Sequence, residues 1–295
     1  MSRQPVNPLT KDNKPLAPGL YFGLKDEIYF NDPALSRSDI LALYESAEEY
    51  QGASWMSPKR RIKSPSPAMK KGTAFHMLLL QPEEFKKFYT VQPGESWGVG
   101  KEMVTRTEYE TMLECIDIIK RNPKIYQLFQ YGAPEVVMVW EDPQTNLMMR
   151  SKADYMKAFG VTDYKTTSRG LSNQALYREV KQYGYHIQDV LYAQGFTILR
   201  DAIKNKKAGV FGNFDKAFIR RYLESDDYLP VKFVFQLTRF PHTARAAEID
   251  EEDRVEAQGI IYAAQCEYLR CMREYGPDKP WMPQDDHIVI TRHRG

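Results

Sequence analysis

Between residues 150 and 192 the chain carries, in order, side chains suited to holding a divalent cation against a phosphodiester. Arg150-Ser151-Lys152-Ala153-Asp154-Tyr155 is followed by Val161-Thr162-Asp163-Tyr164-Lys165-Thr166-Thr167, then by Tyr185-His186-Ile187-Gln188-Asp189-Val190-Leu191-Tyr192. Asp154 and Asp163 lie nine positions apart, Lys165 stands two beyond the second, and Gln188 and Tyr192 form a Gln-x-x-x-Tyr pair. Phosphodiester hydrolysis needs such groups: hard oxygen ligands for Mg²⁺, and a nearby cation to support the attacking water or the developing charge.

Each piece has a bland counterpart. Acidic-x-Lys recurs as Asp12-Asn13-Lys14, Glu84-Phe85-Lys86 and Glu179-Val180-Lys181, so the triplet Asp163-Tyr164-Lys165 says little by itself. Its context says more. It ends a predicted strand, where residues i and i+2 share a face, so Asp163 and Lys165 point the same way. A preceding strand reaches Asp154 before a short turn, so two carboxylates can meet at adjacent strand ends. A solvated hairpin pair is the alternative. His76 follows Gly72 by one helical turn and precedes Met77-Leu78-Leu79-Leu80. On such a helix a histidine is either a hydrogen-bonded core residue or a metal ligand through a neutral ring nitrogen. Gln188 and Tyr192 are i and i+4 on a helix and share a face with Tyr185. They either form a polar seam between helix and sheet or hold Lys165 or a scissile phosphate.

The elements that must position these groups follow from periodicity and punctuation. Residues 1–20 contain four prolines and few apolar residues, which predicts an irregular arm before a single domain at 21–295. Ser36-Arg37-Ser38-Asp39 precedes an apolar-periodic stretch and reads as a capped helix start. Residues 57–71 interleave Lys59, Arg60, Arg61, Lys63, Lys70 and Lys71 with proline and serine, which predicts a basic mobile loop able to touch DNA phosphates. Helices are expected at 72–80, at 107–130 with a break at Pro123, at 173–204 with a bend at Gly184, and at 251–275. Strands are expected at 135–140, 147–156, 161–166, 231–238 and 243–249. The sum is an α/β layout with a mixed central sheet flanked by helices.

Global properties bound the partners. Net charge is only +2, so nucleic-acid contact must come from local patches. Cys115, Cys266 and Cys271 form no disulfide framework and suit a reducing cytoplasm. The first residues lack an apolar signal core, and no apolar run is long enough to cross a bilayer. Gly94-Glu95-Ser96-Trp97-Gly98-Val99-Gly100-Lys101 is followed by Glu102 and is out of register for a P-loop. His186, His242, His287 and His293 are too scattered for a zinc site.

Taken together, the Leu35-Ser36-Arg37-Ser38-Asp39 entry, the Gly72…His76 helix, Asp154, Asp163-Tyr164-Lys165-Thr166-Thr167 and Gly184-Tyr185-His186-Ile187-Gln188 with Tyr192 resemble the PD-(D/E)XK nuclease superfamily. Most closely they resemble RecE-type phage recombination exonucleases, the exodeoxyribonuclease VIII family, and RecB-like nuclease domains. The resemblance spans residues 35–281. It implies a restriction-endonuclease-like core. It implies that His76, Asp154 and Asp163 bind the metal with the Tyr164 carbonyl, and that Lys165 assists the attacking water. Gln188 and Tyr192 would organise the site. It also implies contact of Ser36 and Arg37 with DNA, Mg²⁺ replaceable by Mn²⁺, resection of linear duplex DNA from the 5′ end, a homo-oligomeric ring and a single-strand annealing partner. Ala153 stands where the superfamily name has proline. Some relatives carry an iron–sulfur cluster on four cysteines, which three cannot complete. An endonuclease of the same core, or an inactive DNA-binding recombination module, remains open from motifs alone.

Overall fold

The computed structural model describes residues 15–57, 60, 66–92 and 101–283. The chain enters through β1 (Gly19–Phe22) and a helical stretch of α1 (Asp26–Asn31), α2 (Arg37–Glu45), α3 (Ala47–Ala53), α4 (Pro67–Leu80) and α5 (Pro82–Phe88). A parallel ribbon of β2 (Tyr89–Gln92) and β3 (Glu102–Thr105) leads into α6 (Arg106–Arg121) and α7 (Pro123–Tyr126). The meander β4 (Gly132–Glu141), β5 (Met148–Lys157), β6 (Gly160–Thr167) precedes α8 (Asn173–Tyr183) and α9 (Tyr185–Lys204). Then come β7 (Gly209–Gly212), α10 (Lys216–Glu224), β8 (Lys232–Leu237), β9 (Ala244–Ala247) and α11 (Glu251–Glu274). Among the described residues, no helix is long and apolar enough to cross a membrane.

Seven strands form one sheet in the order β7-β1-β4-β5-β6-β8-β9, parallel at β1–β7 and β6–β8 and antiparallel elsewhere. This is the mixed, helix-flanked sheet expected of a restriction-endonuclease-like fold. β4 shows why both faces must be covered. Val136, Met138 and Trp140 join the core beneath α9, whereas Val137 and Val139 pack with Tyr21 and Tyr29 on the other face. A strand buried on both sides reads as a continuous apolar run. A further core lies between the sheet and α4 and α6, where Phe75, Met112, Cys115 and Ile119 meet Phe129, Tyr155, Tyr164 and Val234.

Two glycines set where α9 lies. Gly184 adopts φ +64°, ends α8 and restarts the chain as α9. The single bent helix expected over 173–204 is therefore two helices. At Gly195 a Cβ would sit 2.8 Å from the Trp140 ring, so only glycine lets α9 lie this close to β4. Gln188, Tyr192 and Gly195 share one helix face, and that approach drives the first two onto the sheet.

Two expectations change. Ser66 accepts the Met69 N–H at 3.2 Å and Pro67 occupies the first turn, so α4 begins inside the stretch read as a basic loop. Lys70 and Lys71 belong to that helix. Lys59, Arg61 and Lys63 lie outside the described residues, as does most of the N-terminal arm. β1 begins at Gly19, inside that arm, because Gly19, Leu20 and Tyr21 pair with Val139, Met138 and Val137.

Candidate active site

The register of the meander builds the site. Between β4 and β5, Pro134 pairs with Tyr155 and Val136 with Ala153, which puts Glu135 opposite Asp154. Between β5 and β6, the last pair is Tyr155 with Thr162, which puts Asp163 next in line opposite Asp154. Glu135, Asp154 and Asp163 thus form one row across three neighbouring strands. The ladder breaks at that row. Glu135 takes φ +54°, and the Asp154 carboxylate, rather than a β5 carbonyl, accepts the Tyr164 N–H at 2.8 Å.

His76 of α4 completes one side of the row. Its Nδ1 lies 3.3 Å from Asp154 Oδ2, and its ring packs against Tyr164 at 5.1 Å. Ligand atoms of His76, Glu135 and Asp154 all fall within 4.8 Å of one another. Ligands held at about 2.1 Å around a small octahedral cation would be separated by about 3–4 Å, so this donor set fits one. One imidazole and two carboxylates are nitrogen and hard oxygen donors suited to a divalent cation, with no thiolate to favour a soft metal.

Asp163 is turned toward α9. It is fully buried, and Lys165 Nζ lies 2.5 Å from its Oδ2 and 3.0 Å from its Oδ1. The Tyr192 hydroxyl accepts from Gln188 Nε2 at 2.6 Å. Its single hydrogen is shared between the Lys152 carbonyl at 2.8 Å and Asp163 Oδ1 at 3.2 Å. Gln188 Nε2 also reaches Asp163 Oδ1 at 3.4 Å, and Arg37 Nη1 donates to Gln188 Oε1 at 2.8 Å. That last contact fixes which end of the amide faces the carboxylate. Arg37 and Ser36 are themselves held by a cap: Asp39 Oδ2 accepts the Ser36 amide at 2.8 Å and hydroxyl at 2.6 Å, and Arg150 reaches it at 3.3 Å. Arg60 bonds the Phe30 carbonyl at 3.3 Å and lines a pocket together with Arg37, Asp39, Lys152 and Gln188.

The electrostatics are those of crowded carboxylates around a place for positive charge. Burial pushes the Asp163 carboxyl up to about 7, aided by the Asp154 charge and opposed by Lys165. Burial raises Glu135 too, with Lys152 pulling against that and Asp154 adding to it. Burial would also raise Asp154, but His76, Lys165 and the Tyr164 N–H outweigh it and hold that carboxyl well below the usual range. Burial lowers His76, and Asp154 more than reverses it. The Asp154 charge thus disfavours ionisation of both its neighbours, Asp163 and Glu135, and a cation bound among them would relieve this.

Of the residues singled out from sequence, His76, Asp154, Asp163, Lys165, Gln188 and Tyr192 converge, and the Tyr164 backbone joins them through its N–H. Glu135 and Lys152 were missed. Lys152 Nζ pairs with Glu135 and, at 2.8 Å, with Asp26. The signal was present: a hairpin closed between Glu141 and Met148 pairs 135 with 154 by simple counting.

A family model described as "PDDEXK-like domain of unknown function (DUF3799)" matches residues 36–211, more than half of the chain. The chain belongs to this family. The PDDEXK-like match runs from Ser36 through the carboxylate row to β7, so it contains every group of the site. The domain's fold also matches a solved structure from Eubacterium rectale described as a "Putative exonuclease", with a TM-score of 0.56 and 17% identity. That match covers 92% of this chain and 96% of the other. Among curated proteins, none matches. The family and the fold are those of a PD-(D/E)XK nuclease.

Proposed function

We propose that this protein is a Mg²⁺-dependent exonuclease acting on ends of linear double-stranded DNA, 5′ to 3′, and leaving a 3′ single strand for recombination. The observation that carries the reading is the row of Glu135, Asp154 and Asp163 across three strands, with His76 at one side and Lys165 on Asp163. A bound divalent cation would supply Lewis-acid stabilisation of charge building on the phosphate. His76, Glu135, Asp154 and Asp163 would hold it, with the Tyr164 carbonyl beside them. Lys165 stands 14% exposed beside the row, placed to orient the water that attacks phosphorus and to stabilise the charge that develops. Tyr192 and Gln188 keep the Asp163 carboxylate aimed, and Arg37 keeps Gln188 aimed.

Exonuclease action, 5′ polarity, a ring assembly and an annealing partner rest on the resemblance to RecE-type enzymes. Action in the cytoplasm accords with Cys115, Cys266 and Cys271 all being free thiols. The test is digestion of a linear duplex labelled at either the 5′ or the 3′ end, alongside a covalently closed circle, with Mg²⁺. Early release of the 5′ label, with the circle intact, supports the proposal. Cleavage of the circle makes the protein an endonuclease. Binding of DNA without cleavage makes it a non-catalytic module.

A further inference from the structure

A ladder of aromatic and cationic side chains leads away from Lys165, and nothing in the reaction described above uses it. Lys165 Nζ lies over the Tyr185 ring at 4.7 Å, and Tyr185 packs against Tyr183 with centroids 5.7 Å apart. The Arg169 guanidinium lies 5.8 Å from the Tyr183 ring. Arg239 then bonds the Ser168 carbonyl through Nε at 2.8 Å, and Phe240 follows it. Phe240 is 84% exposed, and its nearest ring, His242, is 6.4 Å away. Tyr183 is 41% exposed.

The exposed ring is not on a loose loop. Thr238 N–H donates to the Thr167 carbonyl at 2.9 Å, just beyond Lys165 on β6, and His242 Nε2 reaches Glu114 of α6 at 3.2 Å. Arg169 N–H bonds Thr167 Oγ1 at 3.0 Å, which pins the turn beneath Arg239. Two rings and two guanidinium groups are therefore held on one surface that begins at the catalytic lysine. Among the described residues, neither Arg169 nor Arg239 forms an ion pair with a carboxylate. The nearby acids Glu179 and Glu114 are engaged by Thr167 and His242. Arg169 donates instead to the Gln182 side-chain carbonyl, and Arg239 to the carbonyls of Ser168 and Arg169, so neither guanidinium charge is met by a carboxylate.

We propose that this surface is a track for one unpaired DNA strand entering or leaving the metal site, with bases on Tyr183 and Phe240 and phosphates on Arg169 and Arg239. The proposal rests on the nuclease reading for its ligand. A single strand is the occupant because its bases offer free faces to aromatic rings, whereas a duplex hides them in the stack. Guanidinium groups add phosphate contact without reading sequence, so the track is indifferent to base identity.

The test uses the full chain in EDTA, with a fluorescein-labelled oligothymidylate of about 20 nucleotides, long enough for one site, and a blunt hairpin duplex. Phe240→Ala is expected to weaken oligothymidylate binding by about 5- to 150-fold, the range for losing one base–aromatic stack, and to affect the duplex less. Phe240→Tyr should restore it. Replacing Arg169 and Arg239 together by Gln should flatten the log–log salt slope for the single strand by about 1.4. Unchanged single-strand affinity in folded Phe240→Ala overturns the proposal. So does unchanged affinity with a lower sedimenting mass, which would assign the ring to contact between copies. If the wild type binds as described yet cleaves no DNA, the nuclease reading fails and the track stands. If it cleaves, and Phe240→Ala binds as wild type, the track alone fails.

Discussion

Glu135→Gln separates a metal ligand from a mere ion-pair partner. The substitution keeps the shape and removes one charge. In the metal-free protein its effect should be small, because Lys152 keeps Asp26 at 2.8 Å and the Glu135 charge is already disfavoured by burial. With metal the outcome differs. A cation at 100 times its Kd stabilises the folded state by about 2.7 kcal/mol. If loss of a charged ligand weakens binding by about 10- to 100-fold, a range already seen for groups one layer further out, the same metal concentration gives only about 0.4–1.4 kcal/mol. The missing stabilisation, about 1.3–2.3 kcal/mol, corresponds to about 2–4 °C in Tm for a chain of 295 residues. The assay is thermal unfolding with and without Mn²⁺, at a concentration fixed from the wild-type Kd. A metal-induced rise in Tm equal to that of wild type, with Tm lowered equally with and without metal, refutes the ligand role and leaves Glu135 as the partner of Lys152.

Asp163→Ala and Lys165→Ala should each lower cleavage of linear duplex by at least about 10²-fold, with native circular dichroism retained; near-normal rates in either folded variant contradict the site. Tyr192→Phe should cost about 0.5–1.5 kcal/mol in urea unfolding, because it removes the hydrogen bonds of the half-buried Gln188 amide and Lys152 carbonyl to the hydroxyl; no change would mean the hydroxyl contacts are replaced by water. His186 is buried, and burial, reinforced by Lys181 against Glu256 and Asp253, holds its imidazole below the usual range. Below about pH 6.5 the unfolded chain takes up a proton that the folded one refuses, so this residue costs stability as pH falls. His186→Gln should flatten the unfolding free energy between pH 7 and 5 relative to wild type, and an identical pH slope would exclude His186 as its source.

The sequence showed the groups whose partners are near in the chain. Asp163 and Lys165 share a strand face, Gln188 and Tyr192 share a helix face, and Ser36 with Asp39 caps a helix. All three follow from local periodicity. What lay hidden depended on register and long-range packing. Glu135 becomes part of the site only through its place opposite Asp154, and its left-handed backbone breaks the alternation that would have flagged it. Arg37 meets Gln188 across 151 residues, and Arg150 meets Asp39 across 111. Strand β7 is short and glycine-bounded, so its parallel pairing with β1 leaves almost no local signal. Phe240 reads as a turn residue between two strands, and its company with Arg169 follows only from the way the β8–β9 loop closes on the end of β6.

The central claim is that the row formed with His76 is a divalent-metal centre. Crystals grown with Mn²⁺ and measured at the manganese absorption edge test it directly. The expected result is an anomalous peak about 2.0–2.3 Å from His76 Nδ1 or Nε2 and from carboxylate oxygens of Glu135 and Asp154, with Asp163 completing the site. A peak elsewhere in the molecule, or none at a concentration that supports cleavage, would contradict it.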